Sequence, residues 1–475
     1  MGNGEILTND EIGELNTFLK EDLDSNGNKL SQFDAVSDDL KEEQVIEEDH
    51  DESTTSETFN LLEYPNWREQ IRANFPNLLM AAEVGASHFG QLLIKDITNP
   101  EATVFIDVPS AGKTITLNFF SGFDKSITLD NFTPASFVSQ AANVKTEKLK
   151  DVDLLPRIKD KVLIIRDLAP LFGLRDDDLL RSMGVLTRVL DGEGLELHAG
   201  VHGQRGYSGD YSFMMLAAST PIPPKVFKLM GNLGSRLFFF NLKSKDKSEQ
   251  ELSNQLVSKS WKEKQKVCSQ ATQDFLKTLW SKYPDGVEWN KADDPEDCLR
   301  IITRCANLLA RLRGSINVWK EDFGGSDEYS YQEPIIEMPD RISQILYNLA
   351  RGHALISGRT NINHDDLGIV LSITLDSAPL TRSRLFRILI ENDGEIGSEQ
   401  LLTKLNCSRP TALKEMEVLK ILKLVDLTDE ESVASGRPSK VMTLKPEFNW
   451  FIEEEFKFIK NTAEEYYSGR EHVNA

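Results

Sequence analysis

Short apolar runs alternate with segments of helical periodicity in the first half of the chain. The five runs that predict strands lie at residues 103–106, 127–129, 162–165, 213–217 and 237–240. A strand buried on both faces is apolar at nearly every position, whereas a strand with one solvated face alternates. The pattern therefore predicts an α/β core, in which helices cover both faces of a parallel sheet.

The flanking segments are mainly helical. Residues 67–95 read as one or two helices, and 249–356 as a helical region broken by an acidic, glycine-bearing loop at 321–333. Three helical segments at 385–390, 398–405 and 408–422 precede a predicted two-stranded hairpin at 425–444, with its tip at Ser435-Gly436, and 448–467 predicts an amphipathic helix. We expect five regions: a leader (1–60), a core (61–245), a helical lid (246–380), a small domain (381–447) and a terminal helix (448–475).

Charge is concentrated in the leader. Residues 1–60 contain 18 Asp plus Glu against 3 Lys, a net of −15, out of −22 for the whole chain. Few aromatic residues accompany this charge, so the leader is expected to be disordered, with a partner-binding arm as the minority interpretation. No membrane span, signal peptide or lipidation motif is present, which favours the cytoplasm, and the four scattered cysteines indicate reduced thiols rather than a zinc site.

A phosphate-binding loop follows the first predicted strand. It reads Asp107-Val-Pro109-Ser110-Ala111-Gly112-Lys113-Thr114 and is followed by a helical stretch at 115–121. Backbone N–H groups at such a helix start surround phosphates, Lys113 would pair with the β- and γ-phosphates of ATP, and Thr114 would ligate Mg²⁺. Asp107 occupies the position where the motif has its first glycine. A chance GKT sequence is the alternative, and the strand and helix on the correct sides argue against it.

A second acidic element follows the strand at 162–165. Asp167 ends this run and is suited to hold Mg²⁺ from a neighbouring strand, like a Walker B element. The next residue is Leu168, where related ATPases usually carry the glutamate that activates water. The acids Asp176, Asp177 and Asp178 follow a few residues later, and a solvated acidic cluster explains them more simply. ATP binding is therefore better supported than hydrolysis.

Residues 95–375 resemble the AAA+ ATPases, in particular the branch of the minichromosome-maintenance helicases and magnesium-chelatase-like motors. The run 213–221 resembles a sensor 1 strand and implies Thr220 near the γ-phosphate. Gly234-Ser-Arg236 resembles an arginine-finger segment that faces the next subunit, and Pro339-Asp-Arg341 resembles the start of the family's lid, with Arg341 as sensor 2. The glycine-rich run 200–209 suits a hairpin tip, where the resemblance implies weak DNA-contact candidates: His202, Arg205 and Tyr207.

The segment 381–447 resembles a winged helix. Ser408 is placed to cap the would-be recognition helix, with Pro410 in its first turn. The side chains expected to meet DNA are Arg409, Thr411 and Lys414 on this helix, and Arg437 and Lys440 on the wing. Many winged helices bind proteins instead, and acidic residues here keep that alternative open.

The sequence thus favours an ATP- and Mg²⁺-binding AAA+-like ATPase that forms a homo-oligomer, with a ring as one form, and couples nucleotide state to DNA binding or remodelling. Two alternatives remain open. In one, the protein is a non-hydrolysing, ATP-dependent DNA-binding switch. In the other, it is a protein-directed ATPase whose winged helix and leader recruit a partner.

Overall fold

The fold is taken from a computed structural model, which describes residues 61–139, 149–199, 203–234, 236–244, 246–257, 260–320, 329–430 and 439–468. The leader lies outside these residues. At the centre is a sheet of five parallel strands in the order β2-β3-β6-β1-β7. Its strands are β1 (Ala102–Ile106), β2 (Ser126–Leu129), β3 (Val162–Ile165), β6 (Met214–Ser219) and β7 (Leu237–Asn241). The predicted α/β class and all five predicted strands are confirmed.

Successive residues of the sheet enter two different apolar clusters. Phe105, Ile164 and Leu216 belong to the larger cluster, whereas their chain neighbours Val104 and Leu163 belong to the second. Side chains of a strand alternate between faces, so the two clusters are the two covered faces of the sheet. This burial on both sides explains why the strands are continuously apolar in the sequence.

Helices cover both faces. One face packs on α1 (Tyr64–Asn74), α2 (Leu79–Leu92), α3 (Lys113–Phe120) and the helices that follow the sheet. The other face is covered through the short helices α5 (Leu154–Ile158) and α6 (Ala169–Phe172) and the longer α7 (Asp176–Val189) and α8 (Pro224–Leu233), whereas α4 (Leu149–Val152), which precedes α5, contributes no residue to this cluster. An antiparallel hairpin, β4 (Gly194–Ala199) and β5 (Gly203–Ser208), follows α7.

Beyond the sheet the chain is mainly helical, as predicted. The helices are α9 (Glu249–Val257), α10 (Trp261–Lys282), α11 (Glu296–Leu312), α12 (Asp340–Ile356) and α13 (Leu367–Asp376), with a small hairpin of β8 (Val318–Lys320) and β9 (Tyr329–Tyr331). Helix α10 begins at a capping box, in which the Ser260 side chain and Glu263 bond each other's backbone N–H groups. Among the described residues, no helix is long and apolar enough to cross a membrane.

The C-terminal part combines three helices with a three-stranded antiparallel sheet. The helices are α14 (Leu380–Glu391), α15 (Ser398–Leu405) and α16 (Arg409–Ile421), and the sheet has the order β10-β12-β11 with β10 (Glu395–Gly397), β11 (Val425–Glu430) and β12 (Ser439–Leu444). The predicted hairpin at 425–444 is confirmed as β11 and β12, and β10 is a third strand that was not predicted, which pairs with β12 in antiparallel register.

The segment after β12 also differs from the prediction. A 3₁₀ helix at Pro446–Ile452 precedes α17 (Glu454–Ser468), in place of one helix over 448–467. Glu453 has extended backbone angles between the two helices, which lets Phe451 and Phe456 pack edge to face at a centroid distance of 5.4 Å.

Candidate functional site

The predicted phosphate loop, Asp107–Thr114, lies at the carboxyl end of β1. Ser110 and Gly112 have φ of 67° and 100°, so the loop turns sharply before α3 begins at Lys113. Gly112 also lies against Leu78, since a Cβ at position 112 would come within 3.0 Å of Leu78 Cδ2. No side chain caps the start of α3, so its first backbone N–H groups point toward the loop opening.

Asp107 occupies its position without strain. Its φ is not positive, so the backbone at this point needs no glycine. Its carboxylate accepts hydrogen bonds from Val108 N at 2.7 Å and from Ser244 N at 2.8 Å. The aspartate therefore fastens the loop to the chain that leaves β7, which accounts for the departure from the usual motif.

Lys113 lies across the loop. Its Nζ donates to the carbonyl oxygens of Asp107 and Val108, both at 2.7 Å. Burial lowers the pKa of Lys113, and the carboxylates of Asp107 and Asp167 act in the opposite direction. Asp167, which is 54 positions away in the chain, lies near enough for its charge to raise the pKa of Lys113.

Asp167 and Thr220 meet the loop at one edge of the sheet. Strand β6 lies between β1 and β3, and Ser219, the last residue of β6, pairs with Ile106. Thr220 therefore leaves the sheet between the loop and Asp167, and both residues are exposed. The expectation that Asp167 lies on the strand next to β1 was wrong, because β6 is inserted between them.

Leu168 is turned away from this edge. Its backbone N–H donates to the Ala218 carbonyl at 2.8 Å, which continues the ladder between β3 and β6. Its side chain is 1% exposed and belongs to the second apolar cluster. Position 168 therefore differs from a catalytic glutamate in two ways: it has no carboxylate, and its side chain is part of the core.

The three later acids form the first turn of α7. Asp176, Asp177 and Asp178 are exposed, and the only ion pair shown for them joins Asp176 to Lys225 at 3.4 Å. Carboxylates in a first turn interact favourably with the helix dipole. This position favours the simpler interpretation, a solvated acidic cluster.

Arg236 and Arg341 come together at the amino ends of the strands, on the opposite side of the sheet from the loop. Arg236 precedes β7, whose first residue Leu237 pairs with Ala102 at the start of β1. Arg236 Nη2 and Arg341 Nη1 both donate to Asp191 Oδ1, at 2.9 and 2.8 Å. Four residue steps of β1 separate this edge from the loop, about 13 Å of strand.

No motif in the sequence marks Asp191, because a carboxylate in a polar turn has many possible roles. Arg188 adds a third cation at 3.6 Å from Asp191 Oδ2. Gly234 precedes this segment with φ of 82°, and a Cβ there would lie 2.5 Å from Arg236 Nη1, so the guanidinium would have to move from its present position.

A hairpin is present as predicted, but residues 203–208 of the glycine-rich run form strand β5 and not the tip, and 200–202 lie outside the described residues. His202 lies outside the described residues. Arg205 Nη2 and the Tyr207 hydroxyl both donate to Asp153 Oδ2, at 2.5 and 2.6 Å, and Asp153 is fully buried. These two candidates hold the hairpin against the body of the protein in this conformation.

The candidate DNA-contacting residues surround α16. Ser408 is the N-cap residue as predicted, although its hydroxyl pairs with Thr411 Oγ1 at 2.9 Å instead of capping a backbone N–H. Arg409 donates to Glu399 at 2.6 Å, and Lys414 is exposed. Lys440 lies half-buried on β12, and Arg437 lies outside the described residues.

One cluster of metal-ligating types lies elsewhere. Asp297, Cys298 and His364 bring their ligand atoms within 4.8 Å of one another. His364 Nε2 is 3.2 Å from Asp297, and burial, followed by the nearby carboxylates, raises the pKa of the Cys298 thiol to about 12. All four cysteines are free thiols.

No protein-family model matches the chain, and no curated protein matches it.

Proposed function

We propose that the protein is an AAA+-like ATPase module that binds ATP with Mg²⁺ between the phosphate loop and Asp167. The observation that carries the proposal is the meeting of Lys113, Asp167 and Thr220 at the carboxyl edge of a parallel sheet. Open α/β sheets bind ligands at this edge.

The loop supplies what a triphosphate needs. Pro109, Ser110, Ala111 and Gly112 bring the chain to the uncapped start of α3, whose N–H groups bind phosphate oxygens. Lys113 exchanges its two carbonyl acceptors for the β- and γ-phosphates. The bond from Ser244 to Asp107 transmits the position of the loop to the helices that follow β7.

The residues present also fit Mg²⁺. Thr114 is exposed at the first turn of α3, and Asp167 uses Oδ1 to accept from Ala169 N at 2.8 Å, which orients its carboxylate. Hydroxyl and carboxylate oxygens are the ligands that Mg²⁺ takes in nucleotide sites, where the ion neutralises phosphate charge.

Arg236 and Arg341 would serve a neighbouring subunit. Both donate to Asp191 at the edge opposite this chain's own loop, so neither reaches its own nucleotide in this conformation. In a head-to-tail assembly, this edge of one subunit faces the loop of the next, and a closed rotation gives a ring. The two arginines would then break their hydrogen bonds to Asp191 and together bind the phosphates of the nucleotide on the neighbouring subunit.

The position of Leu168 favours a second function at the same site. With that side chain in the core, position 168 provides no carboxylate beside Asp167 in the manner of a catalytic glutamate. A switch that binds ATP, assembles and does not turn it over would need only the features described above. Turnover requires a base from elsewhere, such as a neighbouring subunit.

Nucleotide binding and turnover are tested separately. We expect the full-length protein to bind a fluorescent ATP analogue in the presence of Mg²⁺, and Lys113→Ala to weaken binding by at least 10-fold, about 1.4 kcal/mol. Asp167→Asn should reduce the dependence on Mg²⁺ instead. Equal affinity of the unsubstituted protein and Lys113→Ala would overturn the proposal. Steady-state phosphate release above the Lys113→Ala level would exclude the non-hydrolysing switch.

We propose that the C-terminal part is a winged helix that contacts DNA through Thr411 and Lys414 on α16, Arg409 at its start, and Lys440 and Arg437 on the wing. The exposed face at Thr411 and Lys414, one turn apart, supports this proposal. Lys414→Ala with Lys440→Ala should weaken duplex binding and lower the salt slope by about two. Lys95→Ala, a remote lysine paired with Glu288, is the matched control. Unchanged DNA binding would favour the protein-directed ATPase.

A further inference from the structure

Helix α9 and the start of α10 present apolar side chains to solvent. No residue of α9 is buried. Five apolar side chains here are 45–88% exposed: Leu252, Leu256, Val257, Trp261 and Val267. We name these five residues the α9 patch. Single exposed apolar residues are normal, but five within residues 252–267 indicate an interaction surface.

Positive charge surrounds the α9 patch on a strongly acidic protein. Residues 243–267 contain seven Lys against four Asp plus Glu, a net of +3, whereas the chain as a whole carries −22. Lys262 and Lys266 are exposed, and Lys262 Nζ lies 5.7 Å from the ring centroid of Trp261. Apolar side chains among ammonium groups suit a partner surface that is both apolar and acidic.

A second surface of this protein has that composition. It lies just before α12, where Tyr331, Ile335 and Met338 are 52%, 56% and 75% exposed. Residues 331–340 carry no Lys or Arg and three acids, a net of −3: Glu333, Glu337 and Asp340. We name residues 331–340 the acidic segment. It shares the apolar character of the α9 patch and is opposite to it in charge.

The α9 patch lies on the side of the loop after β1. Helix α10 runs beside α3 in the same direction, because Ser269 Oγ donates to the Asn118 carbonyl at 3.0 Å and Gln273 Nε2 to the Ser121 carbonyl at 3.2 Å. The start of α10 is eight residues before Ser269, about 12 Å, whereas α3 begins only five residues before Asn118, about 7.5 Å. Trp261 therefore reaches the end of α3 at which the loop lies.

The acidic segment lies toward the other end of the strands. Ile335 N donates to the Ser315 carbonyl at 2.9 Å. Arg341, which directly follows the segment, bonds Asp191 beside the start of β7. Each chain thus presents the two complementary surfaces toward opposite ends of its sheet, and two chains can bring one of each together.

We propose that the α9 patch of one chain binds the acidic segment of a second copy of this chain. Ile335 and Met338 of one copy pack on Leu256 and Val257 of the other, and the carboxylates of the segment face the lysines around the patch. Two different surfaces meet in this contact, so it is heterologous, and each added copy leaves one surface of each kind free.

The contact gives a location to the proposed assembly. Arg341 is three residues beyond Met338, so docking of the segment carries this arginine to the side of the neighbouring chain on which Lys113 lies. This consequence for Arg341 rests on the proposed function. The contact itself requires only the two surfaces.

The test is sedimentation velocity of the full-length protein without nucleotide. We expect the sedimentation coefficient of the unsubstituted protein to rise with concentration. Leu256→Ser/Val257→Ser and Ile335→Ser/Met338→Ser should each raise the dissociation constant of association by at least about 10-fold, because apolar side chains no longer lose contact with water there. An equimolar mixture of the two variants should form a complex with one chain of each and grow no further, because each variant supplies one intact surface.

Two further measurements make the result specific. Leu61→Ser should associate like the unsubstituted protein, because Leu61 is 69% exposed but lies near Thr278, 17 residues along α10 from Trp261, about 25 Å. High salt should weaken association several-fold, because it screens the opposite charges.

Three results would overturn the proposal: an unsubstituted protein whose sedimentation does not depend on concentration, a double variant that associates as well as the unsubstituted protein, or a mixture of the two variants that stays monomeric. Formation of the mixed complex also shows that both variants are folded. No nucleotide is present, so a failure of this contact is distinct from a failure of ATP binding.

Discussion

Arg341 donates a hydrogen bond from Nη1 to Oδ1 of Asp191 over 2.8 Å, and the two residues are 150 positions apart in the chain. The same oxygen accepts a hydrogen bond from Arg236, which precedes β7. One carboxylate therefore joins the start of α12 to the start of β7. The two arginines that resemble an arginine finger and sensor 2 are thereby held as one cationic pair. Asp191 is the residue that keeps this pair together.

Replacing Asp191 should release the pair and destabilise the fold. In Asp191→Asn the two guanidinium groups remain close together with like charges, but they lose the shared carboxylate that neutralises them. Because the three side chains are 15–34% exposed, we expect a loss of about 1–2 kcal/mol in the free energy of unfolding. Urea unfolding followed by circular dichroism measures it. The control is Asp124, whose carboxylate is exposed to solvent. Asp124→Asn should change the free energy of unfolding by less than about 0.5 kcal/mol.

Leu168→Glu should disrupt the core and fail to create a catalytic base. The Leu168 side chain is 1% exposed among apolar neighbours, and a carboxylate there has no partner. We expect a loss of about 3–5 kcal/mol in the free energy of unfolding, or an insoluble protein. Leu168→Met keeps the volume and should cost less than about 1.5 kcal/mol. A stable Leu168→Glu protein with raised phosphate release would show that position 168 faces the nucleotide.

The loop after β1 and the strands were predictable from the sequence because their signals are local. Each strand is a short apolar run, and the loop is a contiguous motif between a strand and a helix. The partners of these elements were not predictable. Asp107 bonds Ser244, 137 positions away, and Asp191 gathers arginines from two distant segments. Residues joined only by tertiary folding leave no periodic trace in one sequence.

Two other features that the sequence did not predict have similar causes. Strand β10 has three residues, too few for a period to emerge, and is defined by its pairing with β12. Leu168 reads in the sequence as a missing glutamate, whereas its burial follows from the bond between its N–H and Ala218, which turns the side chain inward. A motif gives the residue type expected at a position and leaves the direction of the side chain to the fold.

Two helical glycines should respond oppositely to alanine. Gly352 lies on α12 where it crosses α2, and a Cβ there would come within 2.3 Å of the Ser87 carbonyl oxygen. Gly184 lies within α7 with nothing within 4 Å of an added Cβ. We expect Gly352→Ala to destabilise the protein by about 3 kcal/mol, and Gly184→Ala to stabilise it by about 0.5–1 kcal/mol, because alanine favours the helix. Thermal unfolding of both variants checks the pair. A Gly352→Ala protein as stable as the unsubstituted chain would show that α2 and α12 do not pack this closely.

His353 should make stability fall in alkaline solution. Burial by itself lowers the pKa of this imidazole, but the carboxylates of Asp366, at 2.6 Å, and Glu83, at 3.6 Å, raise it to about 9. A pKa raised above the unfolded value of about 6.5 contributes stability that is complete below pH 6.5 and is lost as the pH rises through 9. We therefore expect the contribution of His353 to the free energy of unfolding to be about 2–3 kcal/mol lower at pH 9.5 than at pH 6. The lowered pKa of Asp366 acts only in acid, whereas burial raises the pKa of the Cys268, Cys298 and Cys305 thiols to about 12, which also lowers stability toward pH 9.5. Denaturant titrations of the unsubstituted protein and of His353→Gln at the two pH values therefore isolate the imidazole, because the thiols act equally in both proteins. An unsubstituted protein and a His353→Gln variant with the same pH dependence would show that the buried imidazole is neutral.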